Sequence, residues 1–174
     1  PKLADSDTAA WSALSQLFKG EGALTALLRD HLIQRLVTQV DNLDKASVPP
    51  TALAARPLPG SLQVEQGEGG ERIAAANAAR YAPYVQAFTA LDPAATALAY
   101  KRFYPLIQQA YVDLGRPDGY FNDRLVAVID HLLDTPEPAQ PPLVERDERG
   151  RYRFVDATLQ SRSIGQKALL RMDV

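Results

Sequence analysis

Thirteen prolines in 174 residues decide where helix can run in this chain. Proline lacks an amide hydrogen and clashes with the preceding turn, so clusters of it cannot lie inside regular helix. Pro49-Pro50, Pro57 and Pro59-Gly60 mark one stiff connector, and Pro136, Pro138, Pro141 and Pro142 mark a second. The stretches outside them carry most of the helix-period apolar spacing.

Asp5-Ser6-Asp7 reads as a capping cluster ahead of Trp11, Leu14, Leu17 and Phe18, which share one helical face. Gly20 and Gly22 break that helix. The next is expected over 23–43, with Leu24, Leu27, Leu28, His31, Leu32, Arg35, Leu36 and Val40 along an amphipathic stripe. Ser61–Glu65 alternates like a short strand, and Gly67-Glu68-Gly69-Gly70 closes it as a flexible loop. Helix resumes near Ala74 and runs to about Leu91, with Pro83 as a late start or a kink. Asp92-Pro93 is a clean start signal for a helix to about Leu114. Leu98, Phe103, Leu106, Ala110 and Leu114 form one stripe on it, and Tyr100, Tyr104, Ile107 and Tyr111 another, which predicts a central helix bent at Pro105. A helix over 119–134 buries Phe121, Leu125, Val128, Ile129 and Leu132 and turns Asp123, Ala127, Asp130 and Asp134 outward. Leu143–Glu145 and Arg151–Val155 read as a hairpin, and a last helix starts near Ser163.

The expected architecture is therefore a mainly α-helical bundle of five or six helices. A small antiparallel sheet combines 61–65 with the 143–155 hairpin. One globular domain over 1–174 accommodates it: a helical body over about 5–134, a Pro-rich linker at 135–142, then the hairpin and last helix at 143–174.

Composition narrows function by exclusion. Nineteen basic against twenty-one acidic residues leave no excess of positive charge for a phosphate backbone, so nucleic acid is not an expected partner. The absence of cysteine rules out disulfides, Fe–S clusters and thiolate zinc sites. No apolar run approaches the ~20 residues that span a bilayer, so no direct membrane insertion of this region is expected. No cofactor is expected either.

Residues 115–124, GRPDGYFNDR, form the densest polar cluster. The structural reading makes Asp118 the N-cap of the following helix, with Arg116 and Arg124 screening Asp118 and Asp123 at the surface. The functional reading has Asp118, Tyr120, Asn122, Asp123 and Arg124 converge on a ligand or partner, joined by Arg35 and Tyr104. Two carboxylates without a third ligand make a poor metal site. His31 is expected to be a partly buried structural residue. Asp130 and His131 are adjacent, so their side chains diverge by about 100° and make no dyad by themselves. No GxSxG elbow supplies a nucleophile. Ser163–Lys167 fails as a phosphate loop, because the upstream glycine is absent and Ala168 stands where Ser or Thr is needed. The tyrosines offer two readings: a polar seam with hydroxyls served by Arg35, Asp41, Asn42, Arg80 or Arg102, or a groove for an extended peptide or glycan.

Asp5-Ser6-Asp7, Val40-Asp41-Asn42-Leu43, Tyr81 with Pro83-Tyr84, Tyr104-Pro105-Leu106, Pro117–Leu125, Ile129–Leu133, Gly165-Gln166-Lys167 and Leu170-Arg171-Met172 together resemble the bacterial domain of unknown function 3014 family. The resemblance covers essentially the whole chain. It implies a single-pass protein anchored in the inner membrane of Gram-negative bacteria, with a transmembrane helix and a Pro-rich spacer upstream of Pro1 and this domain in the periplasm. The family pattern continues past Leu170-Arg171-Met172 with a further charged helix, and it brings no catalytic residues. The expected function is a non-catalytic periplasmic module that docks on an envelope protein. The alternatives are a binder of a small ligand or cell-wall fragment, with or without weak hydrolytic activity, and a structural, self-associating domain.

Overall fold

The computed structural model describes residues 2–19 and 22–172. Gly20, one of the two expected helix breakers, lies outside the described residues. The chain is mainly α-helical with minor antiparallel β-structure, as expected. The helices are α1 (Asp7–Leu17), α2 (Leu32–Asn42), α3 (Ala76–Thr89), α4 (Pro93–Asp113), α5 (Phe121–Leu133), α6 (Ala157–Gln160) and α7 (Ile164–Met172). Helices α1, α2, α4 and α5 enclose the larger core, built on Trp11, Leu32, Ile33, Val37, Phe103 and Phe121. The start of α4 is the one expected: the Asp92 carboxylate accepts from the Ala95 amide at 2.6 Å, with Pro93 in the first turn.

The helix expected over 23–43 is shorter. After a single 3₁₀ turn at Gly22–Leu24, the chain between 25 and 30 runs beside 54–56, with Leu28 donating to Ala54 O and Arg56 to Ala26 O. Helix α2 begins only at Leu32. His31 precedes it in the left-handed region (φ 53°) and is exposed, not part-buried as expected. That conformation is unfavourable for a residue with a Cβ. Asp7 offsets it: its two carboxylate oxygens accept from the His31 amide at 2.8 Å and the Leu32 amide at 2.9 Å. Asp7 itself stands in the first turn of α1, so one side chain joins two helix N-termini. Ser6, at the N-cap position of α1, instead donates its hydroxyl to Leu3 O.

The expected sheet is also rearranged. Strand β1 (Val64–Gly67) pairs with β2 (Gly70–Ile73), from Val64↔Ile73 to Gly67↔Gly70. The glycine-rich stretch read as a flexible loop is the hairpin turn, because Gly69 and Gly70 adopt positive φ. Strands β3 (Val144–Arg146) and β4 (Tyr152–Phe154) form the second hairpin. The hairpins meet through the Arg72↔Leu143 bridge, the Ile73 amide on Pro142 O and the Arg72 guanidinium on Pro141 O at 2.8 Å. A smaller core of Ile73, Val144, Phe154 and Leu170 unites them with α7.

Three stripe assignments change. Leu98 and Leu114, placed in an apolar stripe of α4, are 70% and 40% exposed, and Ile129, expected to be buried, is 45% exposed. The buried face of α5 is centred on Phe121 and Val128, and Ile129 lies about 100° round the helix from Val128.

Candidate functional site

The start of α5 is not capped by Asp118. Tyr120 occupies the N-cap position without a side-chain cap bond. The first amide of the helix, Phe121 N–H, donates at 2.9 Å to Gln108 Oε1 of α4, and Gln108 Nε2 donates at 2.8 Å to Gly119 O. One carboxamide thus satisfies a donor and an acceptor that the turn leaves open. Gly119 fits against the Tyr111 ring, where an added Cβ would lie 3.2 Å from Cε1. Consequently Gln108→Ala is expected to cost about 1–2 kcal/mol in chemical denaturation. Asp118→Ala is expected to fall within about 0.5 kcal/mol of the parent. The reverse order would restore Asp118 as the cap.

Arg124 faces inward from α5, away from the surface role expected for it. Its Nε donates to Asp41 Oδ1 at 2.8 Å and its Nη2 to Asp41 O at 2.6 Å. Nη1 and Nη2 form a fork on Asp44 at 2.8 and 2.7 Å. Asp41 is only 4% exposed, near the end of α2, and Lys45 (3.2 Å) and Arg116 (3.6 Å) complete its surroundings. The fork from Arg124 holds the Asp44 carboxyl below the usual carboxylate value, against a smaller opposing effect of burial. The guanidinium is raised in turn, first by Asp44 and then by Asp41. This cluster is a polar seam, but it joins helices and does not serve tyrosine hydroxyls as one sequence reading had it. Tyr104 donates to Gln108 Oε1 at 3.2 Å, and Tyr100 reaches Asn122 Oδ1 at 3.5 Å.

A second junction lies at the start of α7. The Gly165 amide donates to Leu43 O at 2.9 Å and the Ile164 amide to Lys45 O at 2.8 Å. The unsatisfied donors of α7 therefore meet carbonyls just beyond α2, positive helix end to negative helix end. Ser163 Oγ accepts from the Gln166 amide at 3.2 Å and lies 2.8 Å from His131 Nε2. Gln166 Nε2 donates to His131 O at 2.9 Å. Ser163 and Gln166 are buried. A serine beside a histidine is the start of a nucleophile–base pair, but this hydroxyl is a helix cap under cover. The helix start offers no anion site, since backbone carbonyls and Ser163 occupy its first amides.

The remaining candidates do not converge. Arg35 lies one turn into α2, where its guanidinium donates to Asp30, Thr51 O and Leu53 O. Asp118, Tyr120, Asn122 and Asp123 are exposed at the other end of the bundle's polar network, Tyr120 to 66%. Among the described residues no three His, Asp or Glu side chains gather as a metal site.

The outer face of α5 has a pattern the sequence analysis missed. Val126, Ile129 and Leu133 are 49%, 45% and 78% exposed. Helical spacing puts them on one strip, and Asp123, Asp130 and Asp134, all exposed, run along its edge. Of the three, only Ile129 is assigned to the core by periodicity, because which apolar strip faces inward depends on the neighbouring helices and not on the spacing within α5.

The fold and these junctions define a helical scaffold whose buried polar side chains fasten helix ends to one another. The model of the family described as "Protein of unknown function (DUF3014)" matches residues 32–174, and the chain belongs to that family. The matched span begins at the first residue of α2, so α1, whose Asp7 caps that helix, precedes it. No curated protein and no solved structure matches the chain. No helix among the described residues is long and apolar enough to cross a membrane.

Proposed function

We propose that this chain is a non-catalytic protein-interaction module of an inner-membrane-anchored protein, acting on the periplasmic side, and that the outer face of α5 docks its partner. The compartment and the anchor in this reading come from the family resemblance. The observation that carries the docking is the exposed strip Val126, Ile129 and Leu133 beside the acidic row Asp123, Asp130 and Asp134. Contiguous apolar side chains at a surface favour being covered. The occupant that fits is an amphipathic helix of an envelope protein, with an apolar ridge on the strip and lysines or arginines along the acidic edge. The residues with catalytic potential, His131 and Ser163, are engaged in holding α7. A small-ligand cleft built on Tyr120, Asp123 and Arg35 lacks its third member, because Arg35 is held by Asp30 and the 51–53 backbone.

The test is a photo-crosslinking side chain at position 129 or 133 of the full-length protein in its own bacterium, with the linked peptide sequenced. The expected product is a basic, amphipathic helical segment of one envelope protein, absent when the probe sits at Glu148 on the hairpin tip. Equal products from both positions, or an acidic or non-helical segment, would overturn the docking face. A segment from a second copy of this chain would replace it with self-association.

A further inference from the structure

The helical bundle is not filled at its centre. A cleft of about 260 Å³ lies where α1, α2, α4 and α5 converge. Its origin is in the sequence: α1 and α4 present Ala13 and Ala99 to it, where larger side chains would close it. Leu36, Val40 and Leu125, each half-buried, line its open part. Along α4 the lining runs from Thr96 to Ile107, a rise of about 16 Å of helix. A volume of this size over that length makes a long, narrow space.

No lining residue is charged. The Thr96 hydroxyl already donates to Asp92 O at 2.7 Å. Tyr100 sends its hydroxyl towards Asn122, and their 3.5 Å separation is at the outer limit for a hydrogen bond, so both groups can take another partner. Burial raises the Tyr100 pKa, which keeps the phenol protonated as a donor. Away from Tyr100 the walls thus offer water no hydrogen-bond partners, and apolar spaces of this kind take up apolar guests. The polar capacity is concentrated at one place and is neutral.

We infer that this cleft binds a slender hydrocarbon chain ending in an uncharged hydrogen-bonding group, with the chain among Ala13, Leu36, Ala99 and Leu125 and the polar end at Tyr100 and Asn122. A charged end gains no counter-ion from the lining and loses hydration on entry. The site is separate from the outer strip of α5, and either can fail without the other.

The experiment titrates the 174-residue chain with 1-decanol, decanoate and decyltrimethylammonium, reading methyl resonances by NMR. Saturable shifts at Leu36, Val40 and Leu125 are expected with decanol, and at least tenfold weaker binding with either charged chain. Ala99→Phe fills the cleft and is expected to abolish decanol binding. Ala13→Val, a smaller change that keeps the test informative should the first variant not fold, is expected to weaken binding several-fold. No saturable shift with decanol, undiminished binding in a folded filled variant, or charged chains binding as well as the alcohol would each overturn the assignment.

Discussion

Arg124→Ala is expected to destabilise the protein by about 3 kcal/mol, the lower part of the range for breaking a buried ion pair. The loss exceeds that of an ordinary surface pair because Asp41 remains behind at 4% exposure. Lys45 and Arg116 stay near that carboxylate and keep the effect from being larger. Arg124→Lys is expected to recover less than half of the loss, since an ammonium cannot reproduce the fork on Asp44 together with the bonds to Asp41. The acid dependence should change as well. Asp44 has a folded-state pKa below its unfolded value, so its contribution is complete at neutral pH. It shrinks as the unfolded chain begins to protonate near pH ~4 and is lost as pH falls through the folded value. Denaturation of the parent between neutral pH and pH ~3 should therefore show a decline that is shallower in Arg124→Ala. Identical slopes would remove Arg124 as the source of the Asp44 shift.

Gly165→Ala is the second large effect, and its sign runs against helix propensity. Replacing glycine by alanine inside a helix ordinarily gains up to about 1 kcal/mol. Here an added Cβ would lie 2.6 Å from Leu132 Cδ2 and 2.7 Å from Leu43 O. The leucine tip can move, but the carbonyl belongs to the backbone at the end of α2 and already accepts the Gly165 amide. Relief of the contact must push α7 away and stretch that bond. The expected cost is about 3 kcal/mol, at the upper end for overpacking. Hydrogen exchange should show the amides of 164 and 165 losing protection first. A neutral or stabilising outcome would mean that α7 does not seat on α2 at this distance.

These two residues also show which information the sequence carried. Periodicity and proline placement located every major helix, because those signals are local to each segment. Asp92-Pro93 worked for the same reason: cap and capped amide are three residues apart. The hydrogen-bonding failures are partnerships across the chain. Asp7 caps a helix starting 25 residues later, and Gln108 serves an amide 13 residues away on the next helix. Arg124 meets Asp41 across 83 positions. One clue was available: Asp41 follows Val37 and Val40 on the apolar side of an amphipathic helix, and a carboxylate in such a place requires a cation. Nothing in the sequence said which arginine supplied it. The candidate stretch 115–124 is dense in polar residues, yet it divides. Arg124 belongs to the interior, Asp118 caps nothing, and Tyr120, Asn122 and Asp123 stay on the surface.

If α5 docks a partner as proposed, stability and binding respond to different residues of the same helix. The most direct test is the combined charge reversal Asp123→Lys, Asp130→Lys and Asp134→Lys, measured as crosslinking yield from position 129 in the full-length protein. The account predicts at least a tenfold fall in captured partner while the melting temperature moves by only a few degrees. An undiminished yield from a folded triple variant would contradict it, since the acidic row would then play no part in what α5 holds.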